Sequence, residues 1–179
     1  LQTDLPRDEI AIPLDNGSSQ QNFGLWDLWC DKYAASGAHL NGLHTVACET
    51  MTSGSAAFRL RLEDIKMGLD TSFVSGQNHT FYHGYNVSPP QAGFPGWFYC
   101  GSYIDEKELW WPYFKEVNIY NSRLSWVLQK STSRSQVALM TWENFLWAAL
   151  HQNGYCVDYV NENILHNAVM SNGKMTYGP

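Results

Sequence analysis

Helical and extended segments alternate along this chain, and that alternation limits its fold more than any other feature. Apolar residues recur at helical spacing over residues 23–37, 58–73 and 113–127, and a further helix is predicted over 143–153. Short β-like runs alternate with these helices at 44–49, 80–83, 136–140 and 155–160. A helix followed by a strand, repeated in strict order, indicates right-handed crossovers and a parallel sheet.

The predicted fold class is therefore α/β, with two architectures open at this point. The spacing from Glu49 to His83 fits one strand–helix unit of an α/β barrel. A doubly wound sheet has the same local pattern, so periodicity does not decide between them. The third helix is predicted to be the longest, over residues 106–130, with Pro112 near its first turn.

Charge and motifs exclude several classes of function. The chain of 179 residues has a formal net charge of −6 and no basic face, so nucleic acid is not expected as a partner. No apolar run approaches the ~20 residues of a membrane span, and no membrane partner is expected. The absence of a G-x-G-x-x-G, Walker, H-E-x-x-H or G-x-S-x-G motif argues against nucleotide-dependent enzymes, zinc peptidases and α/β-hydrolases.

The cysteines and asparagines bear on the cellular compartment. The four cysteines lack metal-type spacing, and we expect Cys30 and Cys48 to be buried thiols. Asparagine glycosylation patterns begin at Asn16, Asn78 and Asn86 and are typical of a secreted protein. The prediction is a secreted, extracellular or periplasmic location.

A long aromatic loop interrupts the alternation at residues 84–106. Loops of this length inside a compact domain are usually functional or disordered, and this one has too many rings for disorder. We therefore predict an ordered loop over a site. Its Trp97, together with Trp110 and Trp111 just after it, could stack against the C–H face of a sugar ring.

Two polar residues are predicted at the carboxyl ends of neighbouring strands. Glu49 ends the run 44–49 and His83 ends the run 80–83, the position at which α/β barrels keep their catalytic groups. Glu49 is the candidate catalytic carboxylate, and His83 is expected to bind a sugar hydroxyl. Glycoside hydrolysis typically uses two carboxylates, and Asp15 is the nearest second candidate, though a weak one.

Several segments around Glu49 resemble one known family. The segments are AASGAHLNG at 34–42, VACETMTS at 46–53, HGYNVSPP at 83–90, FPGW at 94–97, WWPYF at 110–114 and YNSRLSWVLQ at 120–129. In this order they resemble the glycoside hydrolases of family 106, the α-L-rhamnosidase family. The similarity runs from about residue 34 to residue 158.

The resemblance implies a (β/α)₈ catalytic barrel, with Glu49 on its seventh strand and His83 on its eighth. Residues 1–132 would be the C-terminal part of the barrel, and residues 133–179 would begin an amidotransferase-like α/β domain. The family implies inversion at the anomeric carbon and calcium near the carboxylates. Glu49 would then be the general base and a candidate calcium ligand, while His83, Asn86, Trp97 and Trp110 would bind substrate.

The resulting hypothesis is part of an inverting glycoside hydrolase that acts on α-L-rhamnosides or similar deoxy-sugar glycosides. The family's general acid lies upstream of this chain, so the piece should be inactive without the remainder of the parent polypeptide. Two alternatives stay open. One is a non-catalytic carbohydrate-binding protein on the same barrel, and the other is a retaining β-galactosidase-like enzyme with Glu49 as nucleophile.

Overall fold

The computed structural model describes residues 7–11, 25–52, 57–97, 102–140 and 144–177. Within these ranges helices and strands alternate as predicted, in a mixed α/β fold. The helices are α1 (Leu25–Leu40), α2 (Leu62–Ser75), α3 (Phe114–Lys130), α4 (Asn144–Gln152) and α5 (Glu162–Asn167). The strands are β1 (Arg7–Ala11), β2 (Ala47–Thr52), β3 (His79–Tyr82), β4 (Val137–Leu139), β5 (Val157–Tyr159), β6 (Val169–Ser171) and β7 (Lys174–Thr176).

Three of the strands form a parallel sheet with β2 at its centre. The sheet order is β1-β2-β3, and Glu49 of β2 lies beside Glu9 of β1 and Phe81 of β3. Strands β4 and β5 form a second parallel pair, and β6 and β7 form an antiparallel hairpin. The predicted parallel pairing is confirmed for β2–β3 and β4–β5, whereas strand β1, helix α5 and the hairpin were not predicted.

Strand β2 lies three residues further along the chain than predicted. The preceding residues have other partners: Leu43 N–H donates to the Ala38 carbonyl at the end of α1, and Val46 N–H donates to the Asn78 side chain. The strand then continues to Thr52. Glu49 is therefore the third residue of a six-residue strand rather than its last residue.

Helix α3 begins at Phe114, not at residue 106 as predicted. Consecutive turns closed by i→i+3 hydrogen bonds occupy the intervening segment. Glu108 N–H donates to the Asp105 carbonyl, and Trp111 N–H donates to the Glu108 carbonyl. The Asp105 side chain also accepts from the Lys107 N–H, which competes with helix formation. A 3₁₀ turn containing Pro112 then leads into the helix.

Helix α2 also begins later than its apolar stripe suggested. Phe58 has a φ of +64°, which no α-helix accommodates. Arg61 caps the helix, and the Asp64 carboxylate accepts from both the Arg61 N–H and its guanidinium, at 2.9 and 3.0 Å. The helix ends at Gly76, whose φ of +101° is readily adopted only by glycine.

Among the separate clusters of buried apolar side chains, two lie against the strands. The first lies where α2 and α3 cover the end of β2, and it contains Met51, Leu60, Ile65, Leu69, Ile104 and Phe114. The second contains Val157 and Tyr159 of β5, packed against Tyr33 of α1. The Tyr33 and Tyr159 rings are stacked at 4.2 Å, so α1 contacts both the first sheet and the β4–β5 pair. The boundary predicted between residues 132 and 133 stays a prediction.

The structure shows the surroundings of some of the cysteines and asparagines that bear on the cellular compartment. Cys48 is a buried thiol as expected, and Cys30 falls in α1. Asn78 and Asn86 are both buried and hydrogen-bonded to backbone groups, so neither is accessible to glycosylation in the folded chain. Asn16 lies outside the described residues. Across the described ranges, no helix has the length and apolarity to cross a membrane.

Candidate active site

The two faces of the first sheet differ in character. Cys48 of β2 approaches Asp31 of α1, and Thr80 of β3 bonds to Asn121 of α3, so these alternate positions face the helices. Because side chains alternate along a strand, Glu49 is placed on the opposite face. The half-buried carboxylate of Glu49 thus lies on the central strand β2, which has a strand on each side.

Glu49 and His83 come together on this face. Glu49 Oε1 lies 3.6 Å from His83 Nδ1, and the two side chains are 22% and 18% exposed. His83 directly follows β3, and its N–H donates to the Thr50 carbonyl at 2.8 Å, which fixes it against β2. The structure therefore brings together the two strand-end residues that the sequence singled out. Both remain partly open to solvent, as residues that contact a substrate must be.

Ser102 ties the ends of the two strands together. Its N–H donates to the carbonyls of Met51 and His83, at 3.0 and 2.9 Å, and its hydroxyl also bonds the Met51 carbonyl. Ser102 is buried and belongs to the far arm of the long aromatic loop. The described part of that loop is therefore ordered and joined to the strand ends, as predicted.

Asn86 connects the two arms of the same loop. Its N–H donates to the Ile104 carbonyl and its side-chain oxygen accepts from the Ile104 N–H, at 3.0 and 3.1 Å. Its side-chain Nδ2 is buried and has no hydrogen-bond partner among the described residues. This unpaired donor is an exception among the described residues, because buried amides are normally paired. Its expected role as a hydroxyl ligand stays a prediction.

The two tryptophans proposed for substrate binding have different surroundings. Trp97 is 65% exposed, and its backbone is fixed by a 2.9 Å bond from its N–H to Ser88 Oγ. Trp110 donates its indole N–H to the Leu60 carbonyl at 2.6 Å and packs on Phe114 and the first cluster. Trp97 offers an open ring face, whereas Trp110 is largely engaged in packing. The substrate-binding role of each stays a prediction.

A second carboxylate position was overlooked in the sequence. Glu9 of β1 is the register partner of Glu49, so their backbones lie one inter-strand spacing apart, ~4.8 Å. The sequence did not predict Glu9 as a site residue, because three of the five residues of RDEIA are charged and this composition does not indicate a strand. Asp15, the candidate named instead, lies outside the described residues.

The described residues do not form a complete cation site. Among them, no three histidine, cysteine or acidic side chains lie close enough together to hold a metal ion. Calcium prefers six to eight oxygen ligands, so Glu49 and His83 alone do not fit it. No catalytic step is therefore assigned to calcium.

Comparisons with known proteins add an independent observation. Residues 14–178 match glycoside hydrolase family 106, described as alpha-L-rhamnosidase. A protein of Formosa agariphila, named for a beta-glucuronidase activity, is 28% identical over an alignment of 151 residues that covers 80% of this chain and 13% of that protein.

A solved structure is also similar. The rhamnosidase of Novosphingobium sp. PP1Y superposes with a TM-score of 0.68 and 21% identity, over 97% of this chain and 17% of the rhamnosidase. At this identity the similarity concerns the fold. This chain thus corresponds to a small part of each of these two proteins.

Proposed function

Because this chain belongs to glycoside hydrolase family 106, the α-L-rhamnosidase family, we propose that its protein hydrolyses α-L-rhamnosides or glycosides of similar deoxy sugars. The observation that best supports the proposal is the 3.6 Å approach of Glu49 Oε1, on β2, to His83 Nδ1, at the carboxyl end of the neighbouring strand β3. Catalytic groups of α/β barrels lie at this edge of the strands. A half-buried carboxylate beside an imidazole can accept a proton and orient a hydroxyl.

In the proposed mechanism Glu49 is the general base. Glu49 takes a proton from water, and the water oxygen attacks the anomeric carbon on the face opposite the leaving group. The bond to the glycosidic oxygen breaks as a general acid, supplied by another part of the protein, protonates that oxygen. The product sugar has the inverted anomeric configuration. In this proposal a carbohydrate and the remainder of the polypeptide are the partners of this chain.

The remaining site residues would bind the sugar. His83 is placed by the Thr50 carbonyl so that its ring can contact both Glu49 and a hydroxyl. Asn86 Nδ2 is the donor without a partner, which favours a hydroxyl acceptor. The open ring of Trp97 would form a stacking wall, and Trp110 would support it from the apolar cluster.

The same proposal extends to architecture and location. The parallel strands β1–β3 with helices on one face are compatible with the end of a (β/α)₈ barrel over residues 1–132. The parallel β4–β5 pair would then begin a following α/β domain over residues 133–179. Calcium remains a proposal that needs ligands beyond the described residues, and secretion remains one that rests on sequence pattern.

The decisive experiment replaces Glu49 by glutamine in the full-length protein. Glu49→Gln keeps the shape of the side chain but cannot accept a proton, so turnover of an aryl α-L-rhamnoside should fall by roughly 10²–10⁴-fold or more while the circular dichroism spectrum is unchanged. Glu116→Gln, an exposed change on α3, is the matched control and should retain activity. Near-normal turnover by Glu49→Gln would exclude it as the base.

The same assays should also test the alternatives to this proposed function. The beta-glucuronidase name of the Formosa agariphila relative makes an aryl β-D-glucuronide the second substrate to assay. A non-catalytic sugar-binding protein would hydrolyse neither substrate, and its sugar binding would survive Glu49→Gln but fail in Trp97→Ala. A retaining enzyme would accumulate a covalent sugar ester on Glu49.

A further inference from the structure

Phe58 and Phe94 form an exposed ring pair near the strand ends. Their centroids are 5.4 Å apart with planes 10° from parallel, and the residues are 40% and 78% exposed. Phe58 lies in the connection after β2, and Phe94 lies in the connection after β3. These two connections leave the strands that place Glu49 and His83. The ring pair therefore belongs to the edge of the sheet on which α/β barrels build their sites.

A short path joins the ring pair to the Glu49–His83 pair. Ser102 donates to the His83 carbonyl, and the adjacent Tyr103 packs its ring against Phe58 at 5.2 Å, edge to face. Tyr103 is itself buried. Ser102, which bonds His83, is thus adjacent in sequence to Tyr103, whose side chain packs against the ring pair.

The ring pair is held in place by hydrogen bonds from both connections. Phe58 keeps a φ of +64°, costly for a bulky residue, and its N–H donates to the buried carboxylate of Glu108 at 3.0 Å. Burial raises the pKa of Glu108, and the bond from Phe58 opposes that shift. The Tyr103 hydroxyl donates to the Pro95 carbonyl at 2.7 Å, beside Phe94. The exposed rings are thus preorganised rather than loosely attached.

We infer that the Phe58–Phe94 ring pair is a second sugar-binding platform, which stacks the pyranose next to the one whose glycosidic bond is cleaved. The occupant is a sugar because a flat, apolar, preorganised ring face matches the C–H face of a pyranose, and the pair lies on the connections that follow the strands of the Glu49 and His83 pair. This inference rests on the proposed function, and it specifies an oligosaccharide as the substrate class.

The test compares two substrates in the full-length protein. One is an oligosaccharide with a terminal α-L-rhamnose, which reaches the platform, and the other is α-L-rhamnosyl fluoride, whose leaving group is too small to reach it. Phe94→Ala should raise KM for the oligosaccharide by roughly three- to tenfold and leave turnover of the fluoride unchanged. Phe94→Tyr should retain the wild-type KM, and Phe94→Leu should behave like the alanine variant because it lacks a flat ring.

The matched control is Trp126→Ala. Trp126 is 66% exposed on α3, and Gln129 of the same helix bonds the Asn78 carbonyl at the opposite edge of the sheet, so this variant should leave both substrates unaffected. Equal KM values for wild type and Phe94→Ala on the oligosaccharide, with the fluoride still hydrolysed, overturn the inference alone. A wild type that hydrolyses neither substrate contradicts the proposed function, and the inference fails with it.

Discussion

The partly buried carboxylate of Asp158 links helix α1 to strand β5. It accepts hydrogen bonds from His39 Nδ1, Ser36 Oγ and Ser135 Oγ, at 2.9, 3.1 and 2.6 Å, and lies 3.4 Å from Lys32 Nζ. Burial acts to raise the pKa of Asp158, but the bond from His39, the charge of Lys32 and the bond from Ser135 together lower it to about 2. The negative charge is therefore strongly favoured in the folded chain.

The lowered pKa of Asp158 makes the stability of the folded chain depend on pH in a definite direction. Because the folded pKa lies below the ordinary value of 3.8, the stabilisation is fully present above pH ~4 and is lost as the pH falls toward 2. Asp158→Asn in the full-length protein should lower the free energy of unfolding by ~2 kcal/mol at pH 6, with the difference shrinking below pH 4. Thermal unfolding followed at pH 6, 4 and 2.5 measures it. Asp70→Asn, which removes an exposed ion pair, should have a much smaller effect, and a difference independent of pH would contradict this account.

At the scale of residues, the sequence was sufficient to predict that Glu49 and His83 lie close together, but not that Phe58 and Phe94 form a ring pair. Glu49 and His83 could be paired because the sequence places them on successive parallel strands, although Glu49 lies within β2 and only His83 lies at a strand end. Phe58 was assigned to a helical stripe, since its spacing from Leu62 is helical, and only its positive φ removes it from α2. That conformation depends on Glu108, which is 50 residues away in the chain and cannot be inferred from local pattern.

At the scale of elements, strongly apolar segments were predictable and polar ones were not. Helices α1, α2 and α3 follow from apolar stripes, although their bounds are set by caps and competing turns. Strand β1 has charged residues at three of its five positions, so its existence depends on pairing with β2 rather than on its own composition. The β6–β7 hairpin did have a signal, the Asn172-Gly173 dipeptide with φ values of 51° and 71°, that was overlooked.

Strand pairing makes Glu9 testable as a contributor to the site. Glu9 and Glu49 are register partners on adjacent parallel strands, which places both residues on the same face of the sheet. If Glu9 is the acid partner of Glu49 in a retaining mechanism, Glu9→Gln in the full-length protein should lower kcat/KM for an aryl α-L-rhamnoside by roughly 10²-fold, with the fold retained by circular dichroism. In the inverting mechanism proposed above, the same change should have little effect. Asp8→Asn, at the preceding register position on the other face, is the control and should leave kcat/KM within a factor of a few. Equal activity of the two variants would remove Glu9 from the site.

At the scale of the whole molecule, the position of the second catalytic carboxylate determines the stereochemistry. This chain corresponds to 13% of one relative and 17% of another, so most of the active-site wall would come from elsewhere in the protein. Inversion needs carboxyl groups ~6.5–9.5 Å apart, with room for a water, whereas retention needs ~5–5.5 Å. A second carboxylate close to Glu49 would suit retention, and one across a barrel would suit inversion.

The anomeric configuration of the first product therefore distinguishes two arrangements of the whole protein. We expect inversion, because His83 follows β3, the other strand neighbouring Glu49, and no acid within this chain is proposed to protonate the leaving group. Hydrolysis of an α-L-rhamnoside by the full-length protein, followed by proton NMR before mutarotation, should show the β-anomer first. Appearance of the α-anomer first, with a covalent adduct trapped on Glu49 by a 2-fluoro sugar, would instead make Glu49 the nucleophile and Glu9 the nearest candidate for its acid partner. In that event Glu9→Gln should block formation of the adduct from substrates with poor leaving groups, while activated fluorides should still form it, because they need no protonation.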